Sequence, residues 1–274
     1  MEYIRYILFS IIILTFSSCE YNLLRFGWTD YNVDERFNDS QSYNETHPAK
    51  CLEIESDEYF FTATSDYHLE NDSVFLPKFF NYINNSKSRF VTLNGDLCNS
   101  VKQEYVNFAY SALKDGIKIP AYYAAGNHDQ YYGWKLFFDR WGSSTYSFTV
   151  TTPNYKDLYI VLETGSSTLG KNQYNWLVEQ LENRNNYRYC IIITHSNFTY
   201  QGFKNGVFTQ EETVVLFNLF AQNNVNMVIS GHSHEENDVT LENVRYITTG
   251  AMKNGEFGTC YVNKSGISFK FEDL

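Results

Sequence analysis

Positive charge is scarce in this sequence. It holds 21 Lys and Arg residues against 32 Asp and Glu residues, which gives a formal net charge of -11 and a sequence pI near 5.0. A surface that binds nucleic acid by neutralising phosphates is basic, so the composition argues against a nucleic-acid-binding protein. An anionic substrate would need a local source of positive charge, such as bound metal ions.

Long apolar runs are also nearly absent. Arg5 is followed by one apolar stretch, Tyr6 to Phe16, which is short for a comfortable membrane span but has the length of a signal-peptide core. Phe16-Ser17-Ser18-Cys19 resembles the lipobox of bacterial lipoproteins, although Leu is usual where Phe16 stands. We therefore expect an exported protein of the bacterial cell envelope, in the periplasm or at the cell surface, held to the membrane only by lipid on Cys19. An ordinary secretory peptide cleaved near Ser18, or a short membrane anchor, is the alternative.

Paired thiolates are missing as well. No Cys-x-x-Cys pair occurs among the five cysteines, so a thiolate zinc site is not expected. If Cys19 carries lipid, an even number of cysteines remains, and in an oxidising compartment these can form disulfides in three pairings. Free buried thiols are the other possibility. The four residues are Cys51, Cys98, Cys190 and Cys260.

The chain divides into three regions. Residues 1–18 are predicted to be the signal peptide, and residues 19–56 the lipobox cysteine followed by a polar, acidic spacer without helical or strand periodicity. Residues 57–274 are predicted to be one folded domain, because 43% apolar and 18% aromatic residues supply a large core. Neither an internal repeat nor a low-complexity tract interrupts this domain.

Apolar runs alternate with amphipathic segments in this domain, which predicts an α/β fold. The predicted strands are 59–64, 90–93, 119–125, 158–162, 189–194 and 225–230. The predicted helices are 76–83, 100–114 capped by Ser100, 172–183, and one from a Thr209 capping box to residue 221. Residues 130–152 are expected to be irregular, and strands joined by tight turns, including one at 263–266, are expected after residue 243.

Polar residues able to bind metal follow five of these strands directly. Each pair or single residue is unremarkable alone, since Asp in a turn and surface His are common. Five of the six histidines lie at such strand ends, however, and in an α/β sheet the carboxyl ends of the strands meet at one crevice. The residues are Asp66 and His68, Asp96, Asn127 and His128, His195, and His232 and His234.

The residue types agree with one kind of site. Carboxylate, amide oxygen and imidazole without thiolate suit divalent or trivalent ions. A shared carboxylate can hold two such ions about 3.5 to 4 Å apart, as in two-metal phosphoesterases. The sequence therefore predicts a metal centre with two ions.

The ordered motifs resemble those of the calcineurin-like metallophosphoesterases, from Tyr59 to the C-terminus. The segment with Gly170, Gln173, Trp176 and Leu177 resembles a helix common in secreted members. The resemblance implies a four-layer αββα sandwich of two mixed β-sheets flanked by helices. The motifs are Asp66-x-His68, Gly95-Asp96, Gly126-Asn127-His128-Asp129, His195 and Gly231-His232-x-His234.

The same resemblance implies the role of each site residue and the reaction. A hydroxide bridging two metal ions, most often Mn, Fe or Zn, would attack the phosphorus of a small phosphomonoester or phosphodiester. His128, oriented by Asp129, would be the acid outside the metal shell. Asp66, His68 and His234 would bind one metal, Asn127, His195 and His232 the other, and Asp96 would bridge both.

Some features leave the function open. Asn99 stands where purple acid phosphatases carry Tyr, and His195 lacks the His-His-Pro string of cyclic-nucleotide phosphodiesterases. An envelope pyrophosphohydrolase of the same family and a catalytically silent surface-anchored binding protein are the alternatives. Aromatic residues that follow two motifs would either line a substrate pocket or pack the loops. They are Tyr131, Tyr132, Trp134, Phe198, Tyr200 and Phe203. The sequence leaves the substrate and the oligomeric state undetermined.

Overall fold

A computed structural model describes residues 31–71, 73–131, 133–202 and 204–274. The predicted signal peptide and Cys19 lie outside the described residues, as do Tyr132 and Phe203. Within the described ranges, no helix combines the length and apolarity that crossing a membrane requires.

Helices and strands alternate through most of the described chain. The helices are α1 (Val33–Thr46), α2 (Leu76–Asn85), α3 (Gln103–Gly116), α4 (Trp134–Trp141), α5 (Gly170–Glu182) and α6 (Gln210–Gln222). The first seven strands are β1 (Leu52–Glu53), β2 (Tyr59–Thr64), β3 (Val91–Asn94), β4 (Ala121–Ala124), β5 (Tyr146–Thr151), β6 (Lys156–Val161) and β7 (Cys190–Ile193). The others are β8 (Thr199–Tyr200), β9 (Lys204–Asn205), β10 (Met227–Ser230), β11 (Asn237–Leu241), β12 (Val244–Thr248), β13 (Glu256–Asn263) and β14 (Gly266–Asp273), with 3-10 turns at Arg184–Asn186 and Met252–Asn254.

Two mixed sheets form the body of the molecule. The five-stranded sheet has the order β14-β13-β2-β3-β4, and the seven-stranded sheet has the order β1-β5-β6-β7-β10-β12-β11. Neighbours β2, β3 and β4 are parallel, as are β6, β7, β10 and β12, whereas β13 and β14 are antiparallel and joined at the predicted turn at 263–266. The central parallel strands β7 and β10 are apolar except for the terminal Ser230, because both of their faces are covered.

Three apolar clusters separate four layers. One lies between the sheets and contains side chains from both. The second packs α2, α3 and α4 against the five-stranded sheet, and the third packs α5 and α6 against the seven-stranded sheet. This arrangement confirms the predicted sandwich of two mixed sheets flanked by helices.

Three local predictions differ from the structure. Residues 130–152, predicted to be irregular, contain α4 and β5, and the high aromatic content of this stretch hid their periodicity. Helix α3 begins at Gln103 after Lys102, so Ser100 is not its cap. The polar spacer contains α1, which begins with a capping box between Asn32 and Glu35.

The four cysteines beyond Cys19 are free thiols. Cys51 is exposed, whereas Cys98, Cys190 and Cys260 are buried. The alternative of free buried thiols therefore describes three of them, and no disulfide joins any of the four.

The core between the sheets gives a stability prediction. Phe90 is fully buried, and its ring is stacked on Phe61 with centroids 4.6 Å apart. We expect Phe90→Ala to lower the free energy of unfolding by about 3 to 5 kcal/mol, because it removes a buried ring and leaves a cavity. Urea denaturation measures this loss. Tyr261→Ala is the control, since Tyr261 is 41% exposed, and its effect should stay below about 1 kcal/mol. Equal losses in both variants would contradict the burial pattern.

Candidate metal centre

The loops after β2, β3, β4, β7 and β10 bring all seven predicted metal ligands together. The ligand atoms of the histidines and aspartates among them, together with His128, form overlapping groups, within each of which the atoms lie no more than 4.8 Å apart. One group is Asp66, His68 and His234, and another is Asp96, His195 and His232. A third, consisting of His68, Asp96 and His128, connects them.

The first half of the centre is a carboxylate facing two imidazoles. Nε2 of His68 and Nε2 of His234 lie 3.0 Å apart. Nε2 of His234 is also 3.2 Å from Oδ1 of Asp66. Three atoms able to bind a cation therefore point at one small volume.

The second half joins an amide oxygen to two imidazoles. Oδ1 of Asn127 lies 2.9 Å from Nε2 of His195 and 2.8 Å from Nδ1 of His232. The two imidazole nitrogens are 3.2 Å apart. Asn127 is only 7% exposed and His195 is fully buried.

Asp96 lies between the two halves. Its Oδ2 is 3.6 Å from Nε2 of His68, and its Oδ1 is 3.5 Å from Nε2 of His195. One carboxylate thus faces both groups, as the predicted bridging role requires.

Unusual backbone conformations aim these side chains. Five ligands have positive φ angles, a region that non-glycine residues seldom adopt and that is typical of functional sites. Gly95 has φ +92°, and a Cβ there would lie 2.6 Å from Nδ1 of His195, so only glycine allows this approach. The five ligands are Asp66 (58°), His68 (47°), Asp96 (53°), His232 (75°) and His234 (56°).

Hydrogen bonds behind the ligands fix their orientation. Nδ1 of His195 donates to the carbonyl of Asn94 at 2.9 Å. In this tautomer the lone pair of the imidazole is on Nε2, which faces the site. Oδ2 of Asp66 accepts from the hydroxyl of Ser65 at 2.6 Å and from the backbone N–H of His232 at 2.9 Å. Its Oδ1 is therefore the oxygen directed at the site.

The two buried carboxylates have opposite pKa shifts. Burial, together with the negative charges of Asp66 and Asp129, raises the pKa of Asp96 well above its usual range. Burial also acts to raise the pKa of Asp66, but the imidazoles of His234 and His68 beside it outweigh burial and hold that pKa well below the usual range. Burial lowers the pKa of His68, which favours the neutral imidazole that binds metals.

These residues fit a bound metal cation. Oδ1 of Asp66 is buried and has no hydrogen-bond partner in the described part of the chain. Leaving such an oxygen unpaired is costly, and a cation would satisfy it. Neutral imidazole, carboxylate and amide oxygen are also ligands that divalent metals accept. The chemistry of the ligand atoms and the unpaired oxygen of Asp66 therefore both fit a bound divalent cation.

His128 is near the centre but has a different orienting partner from the predicted one. Its Nδ1 donates to the carbonyl of Asn99 at 2.6 Å, and its backbone N–H donates to Oδ1 of Asp96 at 2.8 Å. Its ring centroid is 4.6 Å from that of His68. A main-chain carbonyl has no residue signature, so the sequence could not indicate this role for Asn99.

Asp129 has a different role from the predicted one. Its carboxylate accepts from the backbone N–H groups of Leu97, Cys98 and Gly126 at 2.8, 3.1 and 2.9 Å. These bonds join the loops after β3 and β4. The prediction that Asp129 orients His128 is therefore wrong, because both of its oxygens already bind backbone groups.

A cavity of about 300 Å³ adjoins the centre at His232. Tyr200 lines it, in agreement with the pocket alternative for this residue. Phe198 and Trp134 are instead buried in the core, in agreement with packing. Asn197, two residues after His195, also lines the cavity and was missed from the sequence because a lone amide after a motif carries no signal.

Comparison with solved structures shows the same fold in other proteins. A dimetal phosphatase from Danio rerio has a TM-score of 0.63 at 12% identity, over 78% of this chain and 96% of that chain. GAP50, described as the anchor in the inner membrane complex of Plasmodium, has a TM-score of 0.60 at 15% identity, over 80% and 85%. The purple acid phosphatase PPD1 from yellow lupin has a TM-score of 0.56 at 13% identity, over 80% and 52%.

Sequence comparison is more specific about the family. No curated protein matches the sequence. The family model of the calcineurin-like phosphoesterases matches residues 61–236, which is more than half of the chain and includes all seven ligands. The chain therefore belongs to the calcineurin-like phosphoesterase family.

Proposed function

We propose that the protein is a hydrolase of small phosphate esters, monoesters or diesters, that works with two bound metal ions. The observation that carries the proposal is the complete set of seven ligands, arranged as two groups with the Asp96 carboxylate between them. Asp66, His68 and His234 would hold one ion, and Asn127, His195 and His232 the other. When bound, the ions supply positive charge for phosphate oxygens and hydroxide near neutral pH.

His128 is the group placed to manage the proton of the leaving oxygen. The carbonyl of Asn99 accepts from Nδ1, so the ring is fixed and the other nitrogen, Nε2, is the one available for substrate. Protonated at Nε2, the imidazole would hydrogen-bond a phosphate oxygen or give its proton to the departing alkoxide.

The cavity beside the centre supports the proposal that the substrate carries a small organic group. Its volume of about 300 Å³ is at the lower end of the range for small-molecule sites. It is lined by the ligand His232 together with the Tyr200 ring and the Asn197 amide, so an organic group held there would lie next to the metal centre.

The fold by itself does not imply catalysis. One protein of similar fold is described as an anchor, and one fold can host many functions. A silent binding protein would have no need of His128 in addition to the complete ligand set. The residues of the centre, and not the sandwich, therefore support the enzyme over the binding alternative.

Asp96→Asn tests the metal-dependent activity. Protein lacking residues 1–19 would be reloaded with manganese, iron or zinc and assayed with p-nitrophenyl phosphate and bis-p-nitrophenyl phosphate. We expect metal-dependent release of p-nitrophenol. Asp96→Asn should reduce this release at least about 100-fold, because it removes the negative charge between the two ions and replaces one of the two oxygens by an NH₂ group. Asp115→Asn, an exposed change at the end of α3, should retain full activity. Metal-bound wild type that releases nothing from either ester would count against the proposal.

His128→Ala separates catalysis from metal binding. We expect kcat to fall by about 100-fold to 10,000-fold, because the proton donor is lost, while the metal content measured by elemental analysis stays near that of wild type. His47→Ala is the matched control, since His47 is exposed at the end of α1. Loss of both metals in His128→Ala would contradict a role outside the metal shell.

We also propose that the protein is exported and tethered to the cell envelope by lipid on Cys19. Arg5, the apolar stretch to Phe16 and the small residues before Cys19 support this proposal. The full-length protein should fractionate with membranes, and Cys19→Ser should release it to the soluble fraction. Membrane association that survives this substitution would instead indicate an uncleaved apolar anchor.

A further inference from the structure

Helix α1 precedes the part of the chain that the family model matches, residues 61–236, yet its side chains reach the loop that follows β6. We call residues 163–168 the β6 loop. We propose that Arg36 of α1 is a positioning residue, which holds the β6 loop against two ligand-bearing loops of the metal centre. The activity readout of this proposal rests on the proposed function, whereas its structural readouts do not.

Arg36 is held by three acceptors. Its Nε donates to Oε2 of Glu163 at 3.0 Å, and both side chains are only 1% exposed. One terminal nitrogen donates to Oγ of Ser166 at 2.7 Å, and the other donates to the carbonyl of Tyr31. Because the guanidinium is planar and rigid, it fixes Glu163 and Ser166 relative to α1.

The β6 loop in turn holds the backbone of His195. Oγ1 of Thr164 accepts from the backbone N–H of His195 at 3.1 Å and from that of Ser196 at 2.9 Å. The hydroxyl of Ser196 donates back to the Thr164 carbonyl at 2.5 Å. A shift of this loop would therefore move a ligand of the second metal group.

The loop also contacts the segment that carries Asn127 and His128. Nε2 of Gln130 donates to Oγ of Ser166 at 3.3 Å. Gly165 packs so closely that a Cβ there would lie 2.7 Å from the carbonyl oxygen of Gly126. The residue that Arg36 binds, Ser166, is thus shared with the loop after β4.

A second contact joins α1 to the chain just after His128. Oδ2 of Asp39 accepts from Nε1 of the buried Trp134 and from Nζ of Lys135, both at 2.8 Å. Helix α1 therefore contacts this region from two places, one turn apart.

The pair of Arg36 and Glu163 matters more for the geometry of the site than for the stability of the fold. A buried ion pair adds little net stability, because desolvation offsets the attraction between the charges, but its direction is specific. Displacing a catalytic group by about 1 Å can cost about 100-fold in rate. Lysine at position 36 would keep the charge but could not bind Glu163, Ser166 and Tyr31 with the same planar geometry.

The chain contains a matched control for this pair. Arg188 binds both oxygens of the buried Asp157 at 2.9 and 2.5 Å. Asp157 lies near the start of β6, whereas Glu163 follows its end, so the two buried pairs flank one strand about 20 Å apart. Only the Arg36 pair is at the end of the strand that faces the metal centre.

The test compares Arg36→Lys, Ser166→Ala and Arg188→Lys with wild type. We expect Arg36→Lys to lower kcat by about 10-fold to 100-fold with KM changed less than about threefold. In metal-free protein, hydrogen exchange at the amides of Gly165, His195 and Ser196 should become at least about tenfold faster. Loading with Co²⁺ alone should give an altered visible absorption spectrum, because the ligands of the second group shift.

The controls separate positioning from folding. Ser166→Ala should give the same changes in smaller degree, and it decides the question if Arg36→Lys fails to fold. Arg188→Lys should lower thermal stability but keep the wild-type kcat and Co²⁺ spectrum. Unchanged amide exchange and an unchanged Co²⁺ spectrum in both Arg36→Lys and Ser166→Ala would overturn the proposal. If wild type hydrolyses no ester, the proposed function fails while exchange and spectrum still decide the role of Arg36.

Discussion

The close packing of the oxygen and nitrogen ligand atoms around Asp96 is the constraint on which the rest of the site depends. Oxygen and nitrogen atoms of Asn127, His195 and His232 lie within 3.2 Å of one another, beside two buried carboxylates. Such an arrangement is unfavourable for the protein alone, because the buried carboxylates of Asp66 and Asp96 repel each other in a low-dielectric interior. The positive φ angles of five ligand residues and the close backbone approach at Gly95 are unfavourable conformations that keep these atoms together.

Both sheets contribute ligands to the site. Asp66, Asp96 and Asn127 follow strands of the five-stranded sheet, whereas His195 and His232 follow strands of the seven-stranded sheet. Each group of ligands thus crosses the interface of the sandwich, and the apolar core between the sheets sets the spacing. Rigid packing below the site keeps the loops in register, since close-packed interiors resist small displacements.

The sequence predicted what depends on local pattern. Apolar runs followed directly by Asp, Asn or His placed all seven ligands at strand ends, because strands and their terminal residues are adjacent in the chain. It failed where the partner is a backbone group or lies far away. The carbonyl of Asn99 carries no residue signature, and Arg36 meets Glu163 across 127 positions. Helix α1 was missed although Asn32 and Glu35 have capping-box spacing, since its composition is polar.

Under the proposed function, bound metal ions would reconcile the acidic composition with an anionic substrate. The carboxylates of Asp66 and Asp96 give the centre up to two negative charges, and two divalent cations would add four positive ones. Burial and the charges of Asp66 and Asp129 raise the pKa of Asp96, and a bound cation would oppose this shift because it favours the charged carboxylate. Metal loading would thus change the sign of the charge that a phosphate meets, so the chain needs no basic surface around the site.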